Sequence, residues 1–155
     1  MNSRREVLKR SAAVASLMMA AGLLPQVAAA QTAAFNTAAF DAKNMADLLK
    51  ALGTSAPSES KDVTIQGPDI AENGAVVPLG AATTLPGVKR MLLLVEKNPS
   101  MLSAMFDFTD AVEPTISTRV KMGQTSNVVA VAMMNDGRNL FAQKEIKVTL
   151  GGCGG

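Results

Sequence analysis

Histidine is absent from this chain of 155 residues, and so are tryptophan and tyrosine. Without histidine there is no Ser-His-Asp triad, no Cys-His pair and none of the commonest zinc ligand. A single cysteine excludes a CxxC redox pair and an internal disulfide. Five phenylalanines are the only aromatic residues, 3% of the chain, too few to build platforms that stack bases or sugars. Charge is scarce too: 18% of residues are charged and the net charge is +2, which excludes a charged disordered tail and a basic nucleic-acid module. The Asp and Glu residues show no paired motif for acid–base work and read as solvated surface, and no metal site is expected. Chemistry is left to one thiol, to carboxylates or to a partner. What the chain has in plenty is apolar character, 48% of residues, enough for the core of a single domain.

The first 30 residues read as an address rather than as fold. Arg4, Arg5, Lys9 and Arg10 make a basic start, and Ala12 to Leu24 is an apolar run of 13 residues. A membrane span needs roughly 20. Pro25 breaks the run, and Ala28-Ala29-Ala30 suits a small-residue cleavage site, so cleavage is expected after Ala30. Ser3-Arg4-Arg5-Glu6-Val7-Leu8-Lys9 looks like a twin-arginine signal, the kind that exports proteins already folded. Arg4 and Arg5 are its expected export residues. Removing this segment leaves 11 basic and 12 acidic residues, so no argument for nucleic acid or for an anionic membrane surface survives. No membrane anchor is expected either, since Gln31, not a lipidatable cysteine, would begin the mature chain.

Residues 31–150 read as one helix followed by strands. Met45, Leu48, Leu49 and Leu52 fall on one helical stripe, which predicts a helix over Phe40 to Gly53 with Asp41 as N-cap and Gly53 as its stop. Thr54 to Ser60 reads as a linker. Then the period changes to two. Val63 with Ile65, a short piece from Val76 to Leu79 interrupted by Pro78, Val88 to Val95, Ala104 with Phe106 and Phe108, and Ile116 to Met122 each predict a strand. Pro78 suits an edge or a bend. Val128 to Met134 is apolar on both faces, Asn135-Asp136-Gly137 is a hairpin signal, and Leu140 to Leu150 holds the last alternation. About seven short strands after a short N-terminal helix predict an all-β, immunoglobulin-like antiparallel β-sandwich. The strand without a polar face leaves two readings open: the chain's own helix covers its second side, or a second subunit does.

The chain then reads Gly151-Gly152-Cys153-Gly154-Gly155. Glycine is costly to order and packs nothing, so residues 151–155 are expected to form a flexible arm that carries the thiol outside the fold. Side-chain-free neighbours make the arm thin enough for a narrow cleft. No histidine, metal or second cysteine is at hand to activate the thiolate. The arm therefore reads as a handle on which other enzymes work. Two other readings are an exported binding or structural module whose Cys153 forms an interchain disulfide, and a stand-alone thiol enzyme. The second of these needs a built pocket around Cys153, for which the sequence offers no residues.

Export signal, helix, strand-rich body and glycine-flanked cysteine together resemble the SoxY family, the sulfur-carrier subunits of the bacterial thiosulfate-oxidising (Sox) system. Further pieces of the resemblance are Ala71-Glu72-Asn73-Gly74 leading to Val77-Pro78, then Glu96-Lys97-Asn98-Pro99, Thr118-Arg119, and Val148-Thr149-Leu150 before the arm. The resemblance implies an immunoglobulin-like fold, a periplasmic location and a heterodimer with SoxZ. It places the carrier cysteine at Cys153, with Gly151, Gly152, Gly154 and Gly155 as its arm. It implies no permanently bound cofactor and no catalysis by the chain itself, only a covalent sulfur adduct on Cys153. The implied transient partners are the SoxAX cytochrome, which joins thiosulfate to the sulfur oxidatively, SoxB, which hydrolyses the terminal sulfone, and a sulfur dehydrogenase where one is present.

Overall fold

The structure, a computed structural model, describes residues 36–150. Two short helices, α1 (Thr37–Phe40) and α2 (Met45–Leu52), precede nine strands. These are β1 (Ser58–Glu59), β2 (Val63–Gln66), β3 (Ile70–Ala71), β4 (Val77–Thr83), β5 (Val88–Val95), β6 (Leu102–Asp107), β7 (Thr115–Val120), β8 (Ser126–Met134) and β9 (Asn139–Val148). Seven of them match the alternating segments of the sequence; the two-residue strands β1 and β3 are additional.

Two sheets face each other. The larger has the order β1-β9-β8-β5-β6, with β3 also beside β9; the smaller has the order β2-β4-β7. Pairing is antiparallel except along β9, whose outer edge takes β1 at one end and β3 at the other, both parallel. The remaining pairs put hairpin-linked and sandwich-crossing strands side by side, as expected for an all-β sandwich.

The two unbroken apolar strands are buried on both faces because three layers meet at them. On β5, Met91, Leu93 and Val95 enter the core between the sheets, while Leu92 and Leu94 point the other way. On β8, Val128, Ala130, Ala132 and Met134 join the inter-sheet core, while Val129, Val131 and Met133 meet Ala39, Ala42 and Leu48 of the helical segment. Period-two geometry splits each run this way. Of the two readings left open by β8, the first holds: the chain's own helices cover its second side.

The helical region departs from the expected single helix. Asn36 caps α1, its side chain accepting from Ala39 N at 3.0 Å. Asn44, not Asp41, caps α2: its Oδ1 accepts from Asp47 N at 2.9 Å and its amide donates to the Asp47 carboxylate at 2.7 Å, a reciprocal cap. Asp41 instead closes α1. The break has a tertiary cause. Ala42 O accepts from Met101 N at 3.1 Å, and Phe40 O accepts from the Ser100 hydroxyl, so the chain between the helices is tied to the start of β6.

Gly53 does end the helix, in the left-handed conformation with φ 62°. Thr54 N donates to Leu49 O at 3.0 Å and Gly53 N to Lys50 O at 3.2 Å, the Schellman pattern. No atom lies within 4 Å of a Cβ built there. Gly53→Ala therefore adds backbone strain and no clash, and is expected to cost about 1 kcal/mol, read as a drop of a few degrees in thermal melting.

Two further expectations change. The segment read as a linker contains β1, too short to leave an alternating pattern. The Pro78 piece belongs to β4, the middle strand of the small sheet rather than an edge. Proline is tolerated because β2 pairs only with Gly80–Thr83, so at Pro78 the strand has a neighbour on the β7 side alone.

Candidate functional site

The candidate site residues of the sequence, Cys153 with Gly151, Gly152, Gly154 and Gly155, lie outside the described residues, as do Arg4, Arg5 and Ala30. The structure does describe the body up to Leu150, and so the place from which the cysteine-bearing segment leaves.

That place is tightly held. Beyond β9, Thr149 N donates to Ala71 O at 3.1 Å and the Thr149 hydroxyl donates to Glu72 O at 3.1 Å. Gly74 N donates to Leu150 O at 2.7 Å, and Gly74 O accepts from Met122 N at 2.7 Å. The turn 71–74 thus lies between the end of β9 and the segment after β7. Asn73 shapes it, its Oδ1 accepting from Ala75 N at 2.8 Å.

Two neighbouring loops are bonded to the same end. Asn98 donates from its amide to Lys121 O at 2.7 Å and accepts from Gly123 N at 3.1 Å. Lys97 N donates to the buried Ser126 hydroxyl at 3.1 Å, and Asn127 donates to the Glu96 carboxylate at 3.0 Å. The Thr125 hydroxyl accepts from Val148 N at 2.9 Å, next to the clamp on Thr149 and Leu150. Such side-chain-to-backbone bonds give loops the satisfaction that strands obtain from each other.

The pieces Ala71–Gly74, Glu96–Pro99 and Val148–Leu150, scattered in sequence, therefore converge at one end of the sandwich. Pro78 pairs with Arg119 in the small sheet, with Val77 opposite Val120 and Thr118 opposite Leu79. The structural work of Gly74, Asn98 and Thr125 was missed by sequence reasoning. The one available signal was Asn98 beside Pro99, a turn-forming pair whose partners the sequence does not name.

Charges nearby are paired at the surface. Lys144 reaches Asp69 at 2.9 Å and Gly67 O at 2.6 Å. The hydrogen bond from Lys144, and then its charge, hold the exposed Asp69 carboxyl below its usual range. At the far end, bonds from the Arg138 backbone and guanidinium do the same for Asp136 in the β8–β9 hairpin. Arg90 is held protonated more firmly than usual by its bond to Asp107 across β5 and β6.

Among the described residues no group of three or more His, Cys, Asp or Glu is placed to hold a metal ion, and no helix is long and apolar enough to cross a membrane. A depression of about 450 Å³ lies away from the end of β9, lined by residues including Lys61, Asp62, Thr83 and Glu113. It offers carboxylates and a lysine but no nucleophilic thiol.

The family model for the sulfur oxidation protein SoxY matches residues 48–153, a span that runs from α2 through the strands to the only cysteine. The chain belongs to the SoxY family. The solved structure of the sulfur carrier protein SoxY from Chlorobium limicola f thiosulfatophilum is 35% identical, with a TM-score of 0.60 over 66% of this chain and 93% of that one. A superoxide reductase (neelaredoxin) from Ignicoccus hospitalis matches with a TM-score of 0.51 at 18% identity, over 56% of this chain and 79% of that one, a likeness of fold alone. No curated protein matches the chain. The body of this chain is a two-sheet fold carrying helices on the outer face of the larger sheet.

Proposed function

We propose that this SoxY-family chain is an exported sulfur carrier of thiosulfate oxidation, holding its cargo covalently on Cys153. The observation that carries the proposal is the family match extending to residue 153, and so through the glycine-flanked segment to the single thiol. Likeness to a sulfur carrier protein of known structure supports the same role.

In this reading residues 1–30 direct twin-arginine export to the periplasm and are removed after Ala30. Residues 31–150 are the carrier body, and residues 151–155 are the arm. The body pairs with SoxZ as a heterodimer. The chain itself is not an enzyme; it presents cargo to enzymes.

The chemistry balances as follows. The Cys153 thiol and thiosulfate form an S–S bond, releasing one proton and two electrons to the SoxAX cytochrome. Water then cleaves the terminal sulfone from this thiosulfonate under SoxB, releasing sulfate and a proton and leaving a persulfide on Cys153. A sulfur dehydrogenase, where present, oxidises that remaining sulfur. Tethering keeps a small anion from diffusing away and raises its effective concentration at each enzyme in turn.

The clamp on Thr149 and Leu150 supports this division of labour, because it fixes the point at which the body stops. Cys153 lies three residues beyond Leu150, a reach of about 10 Å at roughly 3.3 Å per residue. A thin arm of that length enters a narrow channel only if its neighbours carry no side chains. Gly152→Val and Gly154→Val are therefore expected to slow sulfur transfer to and from Cys153 at least about tenfold, as a misplacement of about 1 Å does in positioned reactions. Their thermal melting should match the parent protein. Turnover of both variants at the parent rate in a reconstituted assay with thiosulfate would sink the thin-arm reading.

A further inference from the structure

Asn73 is the only asparagine of the chain that glycine follows. That pair has a chemistry of its own. The main-chain nitrogen after an asparagine can attack the side-chain carbonyl carbon, and glycine has no Cβ to hinder the closure. The fold holds this pair against the end of β9. Gly74 N donates to Leu150 O at 2.7 Å, and Gly74 O accepts from Met122 N at 2.7 Å. Asn73 Oδ1 accepts from Ala75 N at 2.8 Å. Asn73 is exposed, so water reaches its carboxamide, while Gly74 is buried.

We infer that Asn73 is a site of spontaneous deamidation, closed in the folded protein by the bond from Gly74 to Leu150 and opened when that bond breaks. Ring closure needs the Gly74 nitrogen free of its proton and turned toward Cγ of Asn73. In the fold that nitrogen shares its proton with Leu150 O, and the bond from Ala75 N fixes the carboxamide by its oxygen. Both arrangements must give way first, so the reaction proceeds from a locally opened state. Its balance needs water alone. The Gly74 nitrogen bonds to Cγ, and the side-chain nitrogen leaves as ammonia with the Gly74 proton. Water then opens the cyclic imide at either carbonyl, giving aspartate or isoaspartate.

The two products differ in what they do to the body. Aspartate leaves the main chain unchanged, and its carboxylate still accepts from Ala75 N. Isoaspartate carries the main chain through the former side chain and lengthens it by one methylene. Gly74 then no longer fits between Leu150 and Met122, and the bond that holds Leu150 is lost. The lesion is one-way and falls at the root of the glycine–cysteine segment. The inference stands apart from the carrier reading, because it concerns the body whatever Cys153 holds.

The test incubates the intact protein at mildly alkaline pH, folded and in denaturant, and follows conversion of the Asn73 amide to acid by peptide mapping. Conversion in the folded protein is expected to be at least about tenfold slower than in the unfolded chain. Thr149→Val removes the hydroxyl bond to Glu72 O beside the clamp. It is expected to raise the folded rate about threefold and leave the unfolded rate alone. Thr149→Ser, which keeps a hydroxyl, should react at the parent rate, and melting curves check that both variants fold. Asn73→Gln should show no conversion at this position in either state, since the larger ring closes poorly. Amide hydrogen exchange at Gly74 is expected to be at least about tenfold faster in the isoaspartate form than in the parent, and unchanged in Asn73→Asp. Equal rates in folded and unfolded protein overturn the inference, as does an absence of conversion at Asn73 in the unfolded chain. A folded Thr149→Val that reacts at the parent rate overturns the role of the clamp. Full protection of the Gly74 amide in the isoaspartate form overturns the proposed consequence.

Discussion

Cys153→Ser is expected to abolish sulfur loading completely while leaving the fold as stable as the parent. A serine hydroxyl forms no S–S bond, and no other thiol exists in the chain to take over. Neither histidine nor a second cysteine offers an alternative nucleophile of comparable reactivity. The body should not notice the change, since the described core, from Val63 to Ile146, is complete without residue 153. A melting temperature shift within that of an ordinary surface substitution, about 0.5 kcal/mol or less, is expected. Intact mass after incubation with thiosulfate and the oxidising cytochrome reads the first effect, and calorimetry reads the second. A sulfur adduct retained in the serine variant would move the attachment site elsewhere.

The second large effect lies in the helical layer. Leu48 is fully buried, the only buried residue of α2, and sits against Leu92, Leu94, Val129, Val131 and Met133 of the central strands. Leu48→Ala leaves a cavity between helix and sheet and is expected to cost about 2–5 kcal/mol. That is a large share of the roughly 5–15 kcal/mol available to a domain of this size. The expected drop in melting temperature is about 10 °C. Because α2 covers the outer face of β8, partial loss of this layer exposes Val129, Val131 and Met133. The variant should accordingly bind more of a hydrophobic dye well below its melting point. The neighbouring Leu49, only half-buried, provides the comparison: its replacement by alanine should cost markedly less. Equal effects at the two positions would contradict the assignment of Leu48 as the anchor of the layer.

The parts of this fold that announce themselves in sequence are those with a period of their own. The alternation of β7 and the hairpin signal between β8 and β9 identify those strands directly, and Gly53 marks the end of α2. The uninterrupted apolar runs of β5 and β8 show that both faces are covered, but not by what, since a helix and a second subunit demand the same residues. The split between α1 and α2 is invisible because Met101 and Ser100, far along the chain, impose it through Ala42 and Phe40. β1 and β3 are two residues each, and a period needs more residues than that to show.

The same division holds at the candidate site. Four glycines around one cysteine have no structural use that packing would supply, so the arm stands out. The clamp at its root does not, because Thr149 meets Glu72 across 77 residues and the contact runs through backbone carbonyls that any residue type provides. Gly74 donates a backbone bond that leaves no mark in composition or spacing.

The most direct test of the carrier account is the intact mass of the mature protein purified from cells grown on thiosulfate, measured before and after reduction. The account predicts reducible additions of sulfane sulfur or thiosulfonate on residue 153, absent from the Cys153→Ser protein. A single unmodified mass, or only a reducible disulfide dimer, would contradict it and leave an exported module whose cysteine joins two chains.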